Sequence, residues 1–385
     1  MKDDLPFNES IALLHELVTP VGIRASRSSV ANYAAIFARD AIMAGLAGVA
    51  VRDATITAGL LRTLEQLRDL QGPEGQIASN FRRNADGTTH VSFGTLAPRF
   101  DSATWYLYAV GVLCSTGHAT YDAFAVSVER TVALLNGIEY NGRHLLYVPA
   151  GGNWADEYPF DGYILYDQVL RAMALAVLAP VANRSDWQEK SSHIAATIDE
   201  RFWPSGEWRY GGARRFPVAA ISPVRTDEHV DLAACALLAA ADLIPSRSHA
   251  VLDALRDTYL AHATLPPAFS PVIQEGDDEW PALAGYHLHG FRNRPHEYHN
   301  GGIWPVWLGW LGIAFARHAR HADVQRVYDL TAAHLATLTG FAFEEYFHGQ
   351  TGLALGTTGM AYTATGFVLM DVARRLDTPA LPWTR

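Results

Sequence analysis

The chain has 385 residues, with 40 acidic against 30 basic side chains, a net charge of −10, 49% hydrophobic and 18% charged residues. This balance excludes a nucleic-acid binder, which needs a basic face, and is too apolar for a disordered chain. The length alone allows one large domain or two or three ordinary ones.

The first residues, Met1-Lys2-Asp3-Asp4, hold no apolar run, so no signal peptide is expected. No stretch of eighteen uncharged apolar residues suggests a membrane span. Cys114 and Cys235 each lie in an apolar helical segment, as free thiols in a reducing compartment do, and the expected location is the cytoplasm. Only Lys2 and Lys190 are lysines. Arginine therefore carries nearly all the positive charge, and its fork suits hydroxyl and carboxylate recognition, although a genomic bias would leave the same trace.

Helical periodicity dominates. A first segment, Asn8 to Val18, puts Ile11, Leu14 and Leu17 on one face and stops near Pro20. Ser28 to Val49 follows, rich in Ala and Gly. Asp53 to Leu70 carries an apolar stripe at Ile56, Leu60, Leu64 and Leu67. Further segments are expected over 102–115, 121–137, 163–178, 186–202, 227–243, 248–261, 302–318, 323–338 and 358–376, with Asp227 and Asp323 as N-caps. Strand signals are thin, and Leu145–Val148 runs into Pro149-Ala150-Gly151-Gly152 and reads as loop. No linker divides the chain. Twelve helices in six hairpins predict an all-α fold, a single (α/α)6 barrel over 1–385 whose Ala/Gly-rich segments at 31–50 and 301–316 belong to the inner ring. An open superhelix of helix pairs is the alternative, but no fixed-period repeat supports it.

Long connections at 71–101, 138–162, 203–226, 262–301 and 339–357 are then expected to carry function at one mouth of the barrel. They hold Trp154, Trp203, Trp208 and Trp280, the acids between 156 and 161, and a His-rich run over 287–299. Aromatic rings beside carboxylates and arginines suit a sugar, with a ring face against its C–H face and charged groups on its hydroxyls.

Two acidic segments stand out. Trp154-Ala155-Asp156-Glu157-Tyr158-Pro159-Phe160-Asp161 has three acids that by composition alone describe a solvated loop. With Trp154 two residues before Asp156 and Tyr163 and Tyr166 behind, an aromatic enclosure is expected to desolvate Asp156 and suit it to proton donation. Phe341-Ala342-Phe343-Glu344-Glu345-Tyr346-Phe347 sets two glutamates between aromatics. Extended alternation would place Phe343, Glu345 and Phe347 on one side and Glu344 with Tyr346 on the other. Glycoside hydrolysis needs two such carboxyl groups.

The order of motifs along 32–370 resembles the neutral/alkaline invertases and, more loosely, the (α/α)6 α-glucosidases and glycogen-debranching glucosidase domains. The resemblance runs through Asn32-Tyr33, Phe37-Ala38-Arg39-Asp40, Gly75-Gln76-Ile77-Ala78-Ser79-Asn80-Phe81, and Ala97-Pro98-Arg99-Phe100-Asp101-Ser102 with Trp105. It continues through Leu146-Tyr147-Val148-Pro149, Trp154-Ala155-Asp156, Gly162-Tyr163 with Gln168, Tyr298-His299-Asn300-Gly301-Gly302-Ile303-Trp304-Pro305, and Glu345-Tyr346-Phe347. It implies Asp156 as general acid and Glu345 as general base of an inverting hydrolase. It also implies a sugar subsite lined by Arg39, Asp40, Asp101 and Trp105, with His299, Asn300 and Trp304 on the loop beside it. Trp154, Tyr163, Gln168 and Glu344 complete the expected substrate-binding set. The chain departs from these relatives at Asn153, where they have an acid, at Glu157-Tyr158, where they have arginines, and at Tyr166, where they have a glutamate. These changes lie on the leaving-group side, so they count against sucrose itself and leave the hydrolase reading in place; the expected substrate is a small α-linked glucoside, sucrose-like or an α-glucosyl conjugate.

No metal or organic cofactor is expected. His296 and His299 are spaced i, i+3 between Pro295 and Gly301, unlike a zinc helix. The expected partner is a small sugar or glycoside, with neither nucleic acid nor membrane, and homo-oligomers are left open. A sugar isomerase or epimerase on the same barrel is the runner-up and would require His287, His289 or His299 to pair. A sugar-binding pseudoenzyme is the third reading.

Overall fold

The computed structural model describes residues 5–28, 33, 35–95, 97–139, 142–286 and 290–375. The helices among them are α1 (Phe7–Leu17), α2 (Ala38–Ala50), α3 (Ala54–Asp69), α4 (Phe100–Ser115), α5 (Ala125–Gly137), α6 (Leu165–Ala182), α7 (Ser185–Arg201), α8 (Leu232–Ala241), α9 (Pro245–Thr258), the short α10 (Trp280–Ala284), α11 (Pro305–Arg317), α12 (His321–Ala336) and α13 (Ala361–Arg375).

The packing closes a ring. α2 packs on α4, α4 on α6, α6 on α8, α8 on α11, α11 on α13, and α13 back on α2. Each inner helix is backed by an outer one: α3 behind α2, α5 behind α4, α7 behind α6, α9 behind α8, α12 behind α11 and α1 behind α13. This is the expected (α/α)6 barrel, with five pairs made as hairpins of consecutive helices, the sixth made by α1 and α13 from opposite ends of the described chain, and α10 as an addition in a loop. Burial follows from it. Inner helices are apolar nearly all round, because both the barrel axis and the outer ring cover them, whereas α3 buries only its stripe of Ile56, Leu60, Leu64 and Leu67. α6 is long and apolar enough to span a membrane by length and composition, yet it is buried between α4, α7 and α8 as a core helix. The tightest inner contact is between α11 and α13. There a Cβ on Gly366 would stand 2.2 Å from the Pro305 carbonyl oxygen, so no side chain fits.

The caps differ from expectation at two places. α8 starts at Leu232, capped by Asp231, whose Oδ1 accepts from Ala234 N at 3.0 Å. Asp227 instead lies in the strand Thr226–Asp227 and accepts from His229 N. Asp323 sits inside α12, paired with Arg320 at 2.7 Å, and caps nothing. Among the described residues of the predicted segment 28–49, helix begins at Ala38, because Ile36–Phe37 pairs as a strand with Asn80–Arg83, itself paired with Thr89–Ser92. Similar short pairings join Tyr163–Ile164 to Ala220–Ile221, Val230–Asp231 to Phe269–Ser270, and Tyr346–Phe347 to Ala354–Leu355. Most of these lead directly into an inner helix. They tie the long loops together at the N-terminal ends of the inner ring.

That end is where acids are favoured. Helix N-termini present unpaired N–H groups and the positive end of the helix dipole. Asp40, Asp101 and Asp167 stand in the first turns of α2, α4 and α6, and Asp231 caps α8.

Candidate active site

A cavity of about 270 Å³ opens over this ring of N-termini. Asp156 and Glu345 both line it, together with Tyr33, Arg39, Asp40, Asn80, Arg99, Trp154, Arg292, Tyr298, Trp304 and Tyr362 among others. Two carboxyl groups 189 positions apart in the chain thus share one small polar chamber.

Glu345 is 5% exposed. Its loop is fastened to the entrance of α11, where Ile303 and Phe347 exchange backbone hydrogen bonds of 2.8 Å each way. Thr363 in the first turn of α13 donates to the Glu344 carbonyl at 2.6 Å and holds the other flank. Gly356 lets the chain pass over the acid, since its φ is +85° and a Cβ there would meet Glu345 Oε2 at 2.6 Å. Tyr33 donates its hydroxyl to Glu345 Oε1 at 2.8 Å, and Thr357 N donates to Oε2 at 3.3 Å. Burial pushes the Glu345 carboxyl up from its ordinary value, opposed by the Tyr33 hydrogen bond and the Arg292 guanidinium. The expected alternation does not hold through Phe343, which takes a left-handed φ of 58°. Glu344 turns back to accept from Ala342 N at 2.9 Å and does not line the cavity.

These contacts predict a pH profile. A base must be ionised, so activity is lost as pH falls through the Glu345 pKa, which lies above the ordinary 4.5. Tyr33→Phe removes a donor that favours the charged form. The acid limb of kcat/KM is therefore expected to move to higher pH in Tyr33→Phe, read from initial rates across pH 4 to 8; a limb that stays in place or moves down excludes this role for Glu345.

Asp156 is placed differently from the expected aromatic enclosure. It is partly exposed and its Oδ2 accepts from Arg99 Nη2 at 2.8 Å. Trp154 turns away from it, stacking on Phe269 with ring centroids 5.6 Å apart and meeting His299, Trp304 and Trp307 edge-on. Trp154 and Trp304 still line the cavity, so the aromatic wall exists, built behind the acid loop. Trp304 donates its indole N–H to the Tyr298 carbonyl at 3.0 Å and stacks on Tyr346.

Arg39 and Asp40 line the cavity from the first turn of α2. Asp40 is buried, which pushes its carboxyl up to about 6 against the pull of Arg39. Arg39 donates to Asp101 Oδ2 at 2.7 Å, with Asp101 fully buried beneath.

Several expected binding residues stand behind the cavity instead. Trp105 is fully buried, donating to Tyr166 OH at 2.8 Å. Gln168 is a latch on the Leu146 backbone, accepting from its N–H at 2.8 Å and donating to its carbonyl at 2.9 Å. Asn300 clamps Ile273 in the same two-way manner, at 2.8 and 2.9 Å. Tyr163 packs edge-on against Tyr147. His299 is 1% exposed, stacked between Tyr298 and Trp304, and burial with nearby arginines holds its pKa well below the usual histidine value. Trp203, Trp208 and Trp280 also lie off the cavity: Trp203 lies under Arg247, Trp208 packs on Tyr210, and Trp280 opens α10 against Phe291.

Arg99 and Arg292 are cavity residues that residue-type reasoning left out. Arg292 comes from the 262–301 loop, lies over the Tyr298 ring at 4.2 Å and pairs with the buried Glu157. Glu157 is one of the two positions where the resemblance leads one to expect arginine, and here a guanidinium reaches the cavity from another loop. Only the pairing across loops reveals that.

Among the described residues no group of three His, Cys, Asp or Glu side chains converges as a metal site. His296 stacks on His348 at 5.8 Å, while His287 and His289 lie outside the described residues.

The closed double ring of helices, with two loop-borne acids over its N-terminal mouth, is an (α/α)6 barrel. The family model "Alkaline and neutral invertase" matches residues 249–377, the third of the chain that carries Trp304 and Glu345. No curated protein sequence matches. Among solved structures, the GH63 mannosylglycerate hydrolase from Thermus thermophilus aligns with a TM-score of 0.68 at 13% identity, over 94% of this chain and 99% of that one. A bacterial glucoamylase complexed with acarbose aligns with a TM-score of 0.67 at 14% identity, over 96% of this chain and 55% of that one. A glycosidase variant in complex with glucose gives 0.65 at 12%, with 95% of both chains covered. With the invertase-type match across the segment holding Glu345, the chain reads as a glycoside hydrolase of this barrel type.

Proposed function

We propose that the protein hydrolyses a small α-linked glucoside with inversion, Asp156 acting as general acid and Glu345 as general base. The observation that carries this reading is the convergence of these two carboxyl groups, from separate loops, on one cavity of about 270 Å³ with an aromatic wall and three arginines. In the proposed reaction Asp156 protonates the glycosidic oxygen as its bond to the anomeric carbon breaks. Glu345 takes a proton from a water that attacks the opposite face. Arg39 and Asp40 hold sugar hydroxyls at the cavity floor.

The small cavity supports an exo-acting enzyme on a short substrate. Arg99 and Arg292 support a polar or anionic aglycone, and the similarity to a mannosylglycerate hydrolase is in keeping with a sugar conjugate of that kind. The isomerase reading requires a histidine pair. Among the described residues none lines the cavity, and His299 is buried in the aromatic wall.

The test is a panel of α-linked disaccharides, glucosylglycerol and glucosylglycerate, read as released glucose. Turnover of at least one is expected; release from none, with binding retained, supports the pseudoenzyme reading instead. Proton NMR of the first turnovers is expected to show β-glucose before mutarotation. If the α-anomer comes first, the enzyme retains configuration and Glu345 acts as a nucleophile.

A further inference from the structure

We infer that Asn153 and Asp167 form a buried bracket that fixes the Asp156 carboxyl, making both of them positioning residues for the proton-donating step. The inference rests on the reading of Asp156 as general acid. Asp167 is fully buried in the first turn of α6, and Asn153 is 4% exposed. Asn153 Nδ2 donates to Asp167 Oδ2 at 2.9 Å, while Asn153 Oδ1 accepts from the backbone N–H of Ala155, the residue before Asp156, at 3.0 Å. One amide side chain therefore joins an inner helix to the backbone that carries the acid.

The rest of the loop is held to the same purpose. Phe100 N at the start of α4 donates to the Gly152 carbonyl at 2.7 Å, and Tyr158 N closes a turn onto the Ala155 carbonyl at 3.0 Å. Trp154, between bracket and acid, is pinned in the aromatic wall. Asp156 is left as the polar side chain of the turn that reaches the cavity.

Asparagine suits position 153 because the site asks for an acceptor and a donor on one short side chain. Aspartate would supply the acceptor for Ala155 N but would set a second carboxyl against Asp167. Burial and the neighbouring Asp101 carboxylate push the Asp167 pKa well above the ordinary aspartate value, so a neutral amide at 167 keeps the acceptor that Asn153 needs. A displacement of about 1 Å at a proton donor costs on the order of 10²-fold in rate.

The experiment separates proton donation from general damage by the leaving group. Asn153→Ala, Asp167→Ala, Asp167→Asn and Asp156→Asn are compared with wild type on α-D-glucopyranosyl fluoride, whose leaving fluoride needs no protonation, and on the O-glucoside that wild type turns over best. For Asn153→Ala and Asp167→Ala we expect kcat on the O-glucoside to fall by about 10²-fold, with less than about tenfold loss on the fluoride. Asp167→Asn is expected to recover most of what Asp167→Ala loses. Equal losses on both substrates, or near wild-type turnover of the O-glucoside by Asn153→Ala, would overturn the bracket. If Asp156→Asn itself shows no leaving-group dependence, the reading of Asp156 has failed, and the bracket falls with it. Retained fluoride hydrolysis shows in each case that the variant has folded.

Discussion

Asp156→Asn and Glu345→Gln are each expected to lower kcat on an O-glucoside by about 10²–10⁴-fold, the span that one positioned acid or base contributes. Both substitutions keep size and hydrogen-bonding shape. The amide in Asp156→Asn can still face Arg99, and the amide in Glu345→Gln can still accept from Tyr33, so circular dichroism and Tm should stay close to wild type. Glu344→Gln is the control. Its carboxylate accepts from the Ala342 N–H of its own loop and lies off the cavity, so near wild-type activity is expected. The reverse pattern, with Glu344→Gln dead and Glu345→Gln active, would show that the site lies one residue away from where the cavity places it.

The second large effect is expected at Arg39. Its guanidinium lines the cavity and also neutralises Asp101, which is fully buried in the first turn of α4. Among the described residues, Arg39→Met leaves that carboxylate with the 3.4 Å contact from Tyr166. Breaking a buried pair by removing one partner costs about 3–5 kcal/mol. An unfolding entropy of about 2.1 cal/mol/K per residue gives roughly 0.8 kcal/mol/K for this chain, so Tm should fall by roughly 4–6 °C. Activity should fall as well, because the sugar loses its donor. Arg39→Met/Asp101→Asn separates the two roles: it should regain most of the Tm and little of the activity. A double variant that regains both would mean that Arg39 supports the fold without touching the sugar.

The two predictions depend on different kinds of information. That Asp156 and Glu345 stand at the cavity was legible in the chain, because acids beside aromatics, in long loops of a helical protein, are an unusual local pattern. The Arg39–Asp101 pair joins two inner helices and is visible only once the ring closes. Arg99 and Arg292 show the same limit more sharply. An arginine in a long loop is ordinary, and only its partner, Asp156 in one case and Glu157 in the other, makes it part of a site.

What the sequence by itself determined was the class of architecture and the candidate acids. Helical periodicity is local, set by which residues recur on one face within a few turns, and twelve such segments without a linker leave few ways to bury their faces. The tertiary structure decided which side of each loop faces the cavity. The motif around Asn300 and the Gln168 position are loop clamps, Trp105 and His299 are wall, and Glu344 faces its own backbone, because the great majority of buried polar groups find a partner and for Asn300, Gln168 and Trp105 the partner is protein. Asn153 is the clearest case. Its residue type says only "turn", while its two hydrogen bonds join an inner helix to the N–H of Ala155, the residue before Asp156. Side-chain partners set by the closure of a ring are non-local, and no pattern of neighbours along the chain encodes them.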